Sequence, residues 1–431
     1  MLRDAETTIE IRHLLATLGI AFLTRLLWAL FVPVIPVSDP FAYHTFAVNL
    51  VHHGVYGWSA EEPTAIWPPG TSVAYALVYA IAGIGQWQVK CFNLAVGLVI
   101  VLLTIKLGTR WFNRRVGIIA GLLVGLWPVF IEYTTIIGSE PLFTAALLGI
   151  LLLFDKIVSD KKHFAWLAAG LGILIGLTSL LRPPALLFPG LLAFVFLLQK
   201  RQIVSSLKLL CITSAFTLLV IAPWCARNHA LFGQFVAVST SGGMNLWMGN
   251  NPDTTGGYQA PPQIDGANEA QIDQILGNEA AAYIRQAPVA FVMRSAVKMI
   301  RLYERETIGL WWNAQGIDSN FGSFGSMAIR VASQAFWAGA LALFAIGCYC
   351  SYRQGLLSFV IHPGVATLVY FTLIYAIIVI QDRYHIPTDP IMAIFGAYAI
   401  VRLTPVASRF GSSGPALSPA EAVSTQHSAS V

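Results

Sequence analysis

Eleven apolar runs follow one another along this chain, near residues 14–35, 70–85, 89–107, 116–136, 140–157, 165–181, 185–198, 208–224, 330–350, 358–380 and 389–404. A helix needs about 20 apolar residues to cross the hydrocarbon core of a bilayer, and most of these runs approach that length. Composition agrees. Of 431 residues, 56% are hydrophobic and 11% charged, where soluble domains carry about 25% charged residues. The expected fold is therefore an all-α polytopic membrane protein. The first run is too long for the core of a signal peptide and lacks a small-residue cleavage site, so it is expected to remain as the first span.

Composition also narrows the partners. The net charge of +5 is modest and its basic residues are scattered between apolar runs, which points away from nucleic acid. The five cysteines (Cys91, Cys211, Cys225, Cys348 and Cys350) are odd in number and lie mostly within apolar runs. No metal-ligand spacing appears among them, so neither a disulfide framework nor a zinc site is expected.

Lysine and arginine decide how many runs cross, because cytoplasmic loops concentrate them. If residues 70–85 crossed, Lys106, Arg110, Arg114, Arg115, Lys156, Lys161, Lys162, Lys200 and Arg201 would all fall outside. If that stretch instead forms a helix along the outer interface, those loops are inside, joined by Arg3, Arg12, Lys208, Arg353, Arg402 and Arg409. Fifteen basic residues then sit inside, against Lys90, Arg182 and Arg383 in the short outer loops. The second arrangement has ten spans and both termini cytoplasmic. Seven spans precede one long outer loop at 225–330. Residues 1–404 form a single transmembrane domain, with 36–88 as the first outer loop. The tail 405–431, rich in Ser, Ala and Pro, is expected to be disordered and cytoplasmic.

Within the long loop, 239–252 is rich in Gly and Asn and reads as turns or a short strand pair. From 267 to 306 the pattern is helical, broken at Pro288. There Arg294, Lys298, Arg301 and Arg305 share one face, opposite Val292, Ala296, Met299 and Tyr303. Such a helix fits the lipid headgroup level, and a solvated charge stripe accounts for it equally well.

No Walker loop, HExxH, GxSxG or GxGxxG in a strand–helix setting is present. What remains is a set of charges at the outer ends of spans. Asp39, in Ser38-Asp39-Pro40, follows the first span, and Glu140, in Ser139-Glu140-Pro141, opens a later one. Each has the form of a helix start, where an acid can cap free N–H groups and proline lacks the unmet donor. Two acids on one side and at one depth point more strongly to a site than either alone. Arg182 and Arg383 lie on the same side, and a guanidinium matches phosphate oxygens bidentately; each alone could equally snorkel to headgroups. Glu132 lies near the outer end of its span, and Arg25, inside the first span, is expected to face the bundle interior. His44, His52 and His53 follow Asp39 as a polar face, with His44 the nearest candidate ligand for a metal.

In this order, Ser38-Asp39-Pro40, Trp67-Pro68-Pro69-Gly70, Gly138-Ser139-Glu140-Pro141, Leu181-Arg182-Pro183, Pro223-Trp224, Gly249-Asn250 and Arg383-Tyr384-His385-Ile386-Pro387 resemble the GT-C superfamily of integral-membrane glycosyltransferases. The resemblance is to the branch containing protein O-mannosyltransferases and the lipid A aminoarabinose transferase. It implies a GT-C-type bundle of about ten spans with an outer juxtamembrane helical segment. It also implies a polyprenyl-phosphate-linked sugar donor, used on the outer face of a bacterial inner membrane, with a glycan, glycolipid or protein as acceptor. By analogy Asp39 and Glu140 are the catalytic acids, and Arg182, Arg383 and Tyr384 hold the donor phosphate. His44, Trp67 and His385 would support them, and a divalent metal beside Glu140 stays open. A transporter or flippase of lipid-linked sugars, or a lipid-linked glycan polymerase or ligase, would use the same arginines. A transporter would spread ionisable groups through the membrane depth, whereas here the acids gather outside. The topology has a direct test. A cysteine placed at residues 71–79 is expected to label with an impermeant thiol reagent from outside, and Arg114→Cys only after permeabilisation.

Overall fold

Helices dominate the computed structural model, which describes residues 2–160 and 162–404, with side chains from residue 11 onward. Three members of the charge count (the side chains of Arg3, Lys161 and Arg409) and the tail expected to be disordered lie outside the described residues. Among the described residues the β structure is one antiparallel bridge between Gly57 and Pro63.

Seven helices are long and apolar enough to cross a bilayer: Ile11–Phe31, Gln86–Trp111, Ser139–Ser159, Pro183–Lys200, Ile203–Phe232, Ala314–Tyr352 and Ile386–Leu403. An eighth span is a broken pair, Arg114–Leu126 and Pro128–Thr135, bent by 58°. The other two expected spans are the shorter helices Phe164–Ser179 and Pro363–Ile377, of 16 and 15 residues. The ten runs expected to cross thus correspond to seven helices of spanning length, one bent pair and two apolar helices shorter than a span. Gly70–Ala82 has 13 residues and is about 20 Å long at 1.5 Å per residue, well short of the bilayer core. It packs through Tyr75, Ala76 and Tyr79 on Tyr43 and Ala47 of the preceding helix Asp39–His53. The first outer loop is therefore a pair of short helices packed on each other.

The break in the eighth span has a clear cause. Trp127 precedes Pro128 and adopts extended backbone, as the residue before proline prefers. The helix ending at Leu126 leaves carbonyls that hydrocarbon cannot solvate. Arg25, fully buried in the first span, supplies the donors. Its Nη1 donates to Gly125 O at 2.9 Å and Ala21 O at 3.1 Å, and Nη2 to Val124 O at 3.3 Å. A Cβ at Gly97 would lie 2.5 Å from Arg25 Nε, so a glycine there leaves room for the guanidinium. Lys90 acts similarly: its Nζ donates at 2.6 Å to Ala29 O, in the last turn of the first span.

The last helix, Asp389–Leu403, is the centre of the bundle. Every residue from Asp389 to Ala399 is buried, packed against Arg114–Leu126 and Ala314–Tyr352. A Cβ on Gly347 would come within 1.9 Å of Phe395 O, so the backbones of two helices meet there and admit only glycine.

In the long loop the structure departs from three expectations. The helix Ile203–Phe232 carries Pro223 inside it and runs past the expected membrane exit. Residues Gly242–Gly249 form a helix rather than strands. The basic stripe on Pro288–Arg301 turns toward the protein at Arg294 and Lys298, while Arg301 and the following Arg305 stay exposed. Arg294 donates to Asn251 O and Tyr283 Oη, Arg301 to Thr255 O, and fully buried Lys298 to Gly249 O, Ile377 O and Ile378 O at 3.3, 3.3 and 2.7 Å. Val289, Val292, Met293, Val297 and Ile300 are exposed, so the helix offers its apolar face to the surroundings and Arg294 and Lys298 to the protein. Burial and the neighbouring charge of Arg294 lower the Lys298 ammonium to about 8. Lys298→Met keeps the aliphatic stem but orphans buried carbonyls, each worth about 1–3 kcal/mol. It is expected to lower the apparent Tm in detergent by several degrees.

Candidate active site

After the first span the chain runs extended to Ser38, whose φ of 55° and ψ of −130° are unusual for a residue with a side chain. Such a conformation costs about 1–3 kcal/mol and tends to occur at functional positions. It turns the chain so that the helix opens at Asp39 with Pro40 in the first turn. No side chain caps this helix. The Asp39 carboxylate, partly exposed, instead accepts from Arg383 Nη2 at 2.6 Å, across 344 residues of sequence.

Glu140 behaves likewise. Its helix starts at Ser139 after Gly138 without a side-chain cap. The fully buried carboxylate accepts at Oε1 from Arg182 Nη2 at 3.0 Å and from Arg383 Nη1 at 3.4 Å. The cap reading therefore fails for both acids, because a guanidinium is a better partner than a helix N–H in a dry site.

Each arginine sits where the backbone leaves the membrane. Arg182 follows Phe164–Ser179 and adopts the extended conformation that Pro183 demands, while its N–H closes the helix on Thr178 O. Arg383 lies between Pro363–Ile377 and the last helix, and its Nε donates to Gln381 Oε1 at 2.6 Å. Between the arginines stands the Tyr384 ring, 5.2 Å from the Arg182 guanidinium carbon and 5.5 Å from that of Arg383. Tyr375 stacks on its other neighbourhood at 4.4 Å, and Trp312 lies 5.0 Å from Arg383. Aromatic faces of this kind favour cations.

The cluster holds two carboxylates and two guanidiniums, formally neutral. Burial opposes the charge on Arg383, but Asp39 and Glu140 outweigh it and hold its pKa well above the ordinary value. Removing one partner from a buried network of this kind costs about 3–5 kcal/mol, because the other is left uncompensated. Two polar atoms remain unused: Glu140 Oε2 and Arg182 Nη1 are buried without a hydrogen-bond partner. The arrangement can present a partly exposed carboxylate beside two guanidiniums, one with a free donor.

Asp39, Glu140, Arg182, Arg383 and Tyr384 thus come together, and the remaining three candidates do not join their contacts. His44 Nδ1 pairs with Tyr79 Oη at 2.9 Å. Trp67 packs with Phe46 and Trp58, and its carbonyl accepts from Tyr56 Oη. His385 turns to Asp389. Sequence reading missed Gln381 and Trp312, which hold Arg383, and Tyr133, whose ring lies against Gly138 beside Glu140. Gln381 stands two residues before Arg383 and was legible. Trp312 and Tyr133 reach the site only through packing.

Residues 67–226 match the family model described as dolichyl-phosphate-mannose-protein mannosyltransferase. No curated protein matches the chain. Among solved structures, the oligosaccharyltransferase AglB from Archaeoglobus fulgidus, in complex with an inhibitory peptide and a dolichol-phosphate, superposes with a TM-score of 0.56 at 13% identity. It covers 92% of this chain and 50% of its own, so the chain spans about half the length of that protein. The apo form of the same enzyme gives 0.56 and 13%, covering 91% and 50%. ArnT from Cupriavidus metallidurans, bound to undecaprenyl phosphate, gives 0.46 at 15% identity, covering 92% and 78%. The chain thus shares the helical fold of AglB over 92% of its length, and residues 67–226 match the mannosyltransferase family model.

Proposed function

We propose that this chain is a membrane glycosyltransferase that moves a sugar from a polyprenyl-phosphate donor to an extracytoplasmic glycan, glycolipid or protein. The observation that carries the reading is the meeting of Asp39 and Glu140 with Arg182 and Arg383 at the ends of helices in a GT-C bundle. The donor class is supported by the dolichyl-phosphate-mannose description of the matching family model and by the dolichol-phosphate held by AglB. The basic residues that gather in alternate loops support an outer-face cluster, periplasmic in a bacterial inner membrane.

The reaction is a single inverting displacement. The acceptor hydroxyl oxygen bonds to the anomeric carbon as the bond from that carbon to the phosphate oxygen breaks. The hydroxyl proton passes to Asp39, and the lipid phosphate leaves with the electron pair. Lipid phosphate is a good leaving group, so the chemistry needs a base and positive charge more than a general acid. Arg182, through its unused Nη1, and Arg383 take the phosphate oxygens. A phosphate drawing on Arg383 also loosens its bond to Asp39, so donor binding readies the base. Glu140 keeps both guanidiniums in place, and Tyr384 fixes their separation.

The test is transfer of a radiolabelled sugar from polyprenyl phosphate by purified protein in vesicles. Asp39→Asn, which leaves Arg383 paired with Glu140, is expected to lower kcat by about 10²–10⁴, the usual worth of a positioned base. Transfer at the wild-type rate in a folded Asp39→Asn protein removes the base assignment. Arg182→Lys keeps the charge but loses the planar fork. It is expected to raise the donor KM more than it lowers kcat, and an unchanged donor KM removes Arg182 from the phosphate site.

A further inference from the structure

Two residues beyond Arg383, His385 faces a second buried cluster that the proposed transfer does not use. The imidazole is buried under Trp337, stacked at 4.4 Å and 18°, with Tyr303 at 5.8 Å. Its Nδ1 lies 2.9 Å from Asp389 Oδ1, one helical turn on, and its Nε2 lies 3.4 Å from the backbone carbonyl of Arg305. Glu306 arrives from the long outer loop, 79 residues earlier in sequence than His385. One donor atom from each of Glu306, His385 and Asp389 lies within 4.8 Å of the others, and all three residues are at most 1% exposed.

Charge makes this grouping unusual. Two carboxylates lie side by side with one imidazole, and among the described residues no Lys or Arg forms an ion pair with either acid. Glu132, also buried, adds a further like charge toward Glu306. An uncompensated ion in such surroundings costs several kcal/mol. Asp389 Oδ2 is moreover buried and receives no N–H or hydroxyl donor, with the Glu306 carboxyl as its neighbour.

The surrounding contacts are those that hold metal ligands rather than those that quench charge. Trp127 Nε1–H donates to both Glu306 oxygens, at 3.1 and 3.2 Å, and orients the carboxylate. The Arg305 carbonyl is placed to accept an Nε2–H of His385, the tautomer that a metal on Nδ1 would require. Metal-bound histidines characteristically give their other ring N–H to a carbonyl, and metal-bound carboxylates are themselves hydrogen-bonded. Ligands at about 2.0–2.1 Å from a tetrahedral zinc stand roughly 3.3 Å apart, close to the separation of His385 Nδ1 and Asp389 Oδ1.

We propose that Glu306, His385 and Asp389 bind one divalent first-row transition-metal ion, of which Zn²⁺ suits a nitrogen-and-two-carboxylate set best. The ion joins the long outer loop to the start of the last helix, next to the loop that carries Arg383. Its role is structural, and it is separate from Asp39 and Glu140.

The experiment uses the full chain, purified in detergent without a polyhistidine tag or chelator. Metal content is measured by plasma mass spectrometry, and Zn²⁺ and Mn²⁺ are titrated calorimetrically into chelator-treated, desalted protein. The expected result is one ion per chain, loss of that ion in Asp389→Asn and His385→Gln, and a fall in apparent Tm on chelation that Zn²⁺ reverses. Asp39→Asn is expected to keep the ion. Wild-type protein that carries no metal, binds neither ion and shows no shift of Tm overturns the proposal. An ion retained by Asp389→Asn and His385→Gln but lost from Asp39→Asn overturns it too, by moving the site to the other cluster. Both readouts are independent of sugar transfer.

Discussion

A single guanidinium shared between two carboxylates ties together the outer end of this bundle. Arg383 reaches Asp39 and Glu140, which lie 344 and 243 residues away in sequence. Three loops that could otherwise drift apart are thereby held in one geometry. Arg182 adds a second cation, so that four charges cancel in a site where none could be buried alone. The strained Ser38 precedes the Asp39 that meets Arg383, and the extended Arg182 meets Glu140.

A related requirement shapes the rest of the fold. Hydrocarbon offers no partner to a free carbonyl, and helices leave free carbonyls wherever they stop. Three buried cations answer that demand at three different helix ends: Arg25 at the break before Pro128, Lys90 at the end of the first span, and Lys298 at the end of Pro363–Ile377. A positive charge also suits the negative end of a helix dipole. Arg25, Lys90 and Lys298 thus close backbone, while Arg182 and Arg383 hold carboxylates.

Much of this was legible in the sequence. Span-length apolar runs announced a helical membrane protein, and the short stretch at 70–85 forms a helix of 13 residues, below the length of a span. Asp39, Glu140 and Arg182 stood out because each is a charge beside a proline at the end of a run, and Arg383 because it lies between the last two runs. Other features were misread for identifiable reasons. The Gly- and Asn-rich stretch forms the helix Gly242–Gly249, because its Asn250 closes onto Leu246 O and Ile377 O and tertiary contact overrides weak propensity. The stripe containing Arg294 and Lys298 looked solvated, since periodicity gives a face but not the direction in which it points. The i,i+4 pair His385 and Asp389 was visible, while Glu306 joins them only through the folded loop.

The sequence by itself determined the class of fold and the apolar segments that build it. These follow from hydrophobicity and charge, which act residue by residue against the bilayer. Which carboxylate meets which guanidinium, where a span breaks, and how a loop acid comes to lie beside the last helix were decided by tertiary structure alone. Ion pairing and backbone satisfaction act between surfaces that only packing brings together, and no local pattern records the partner.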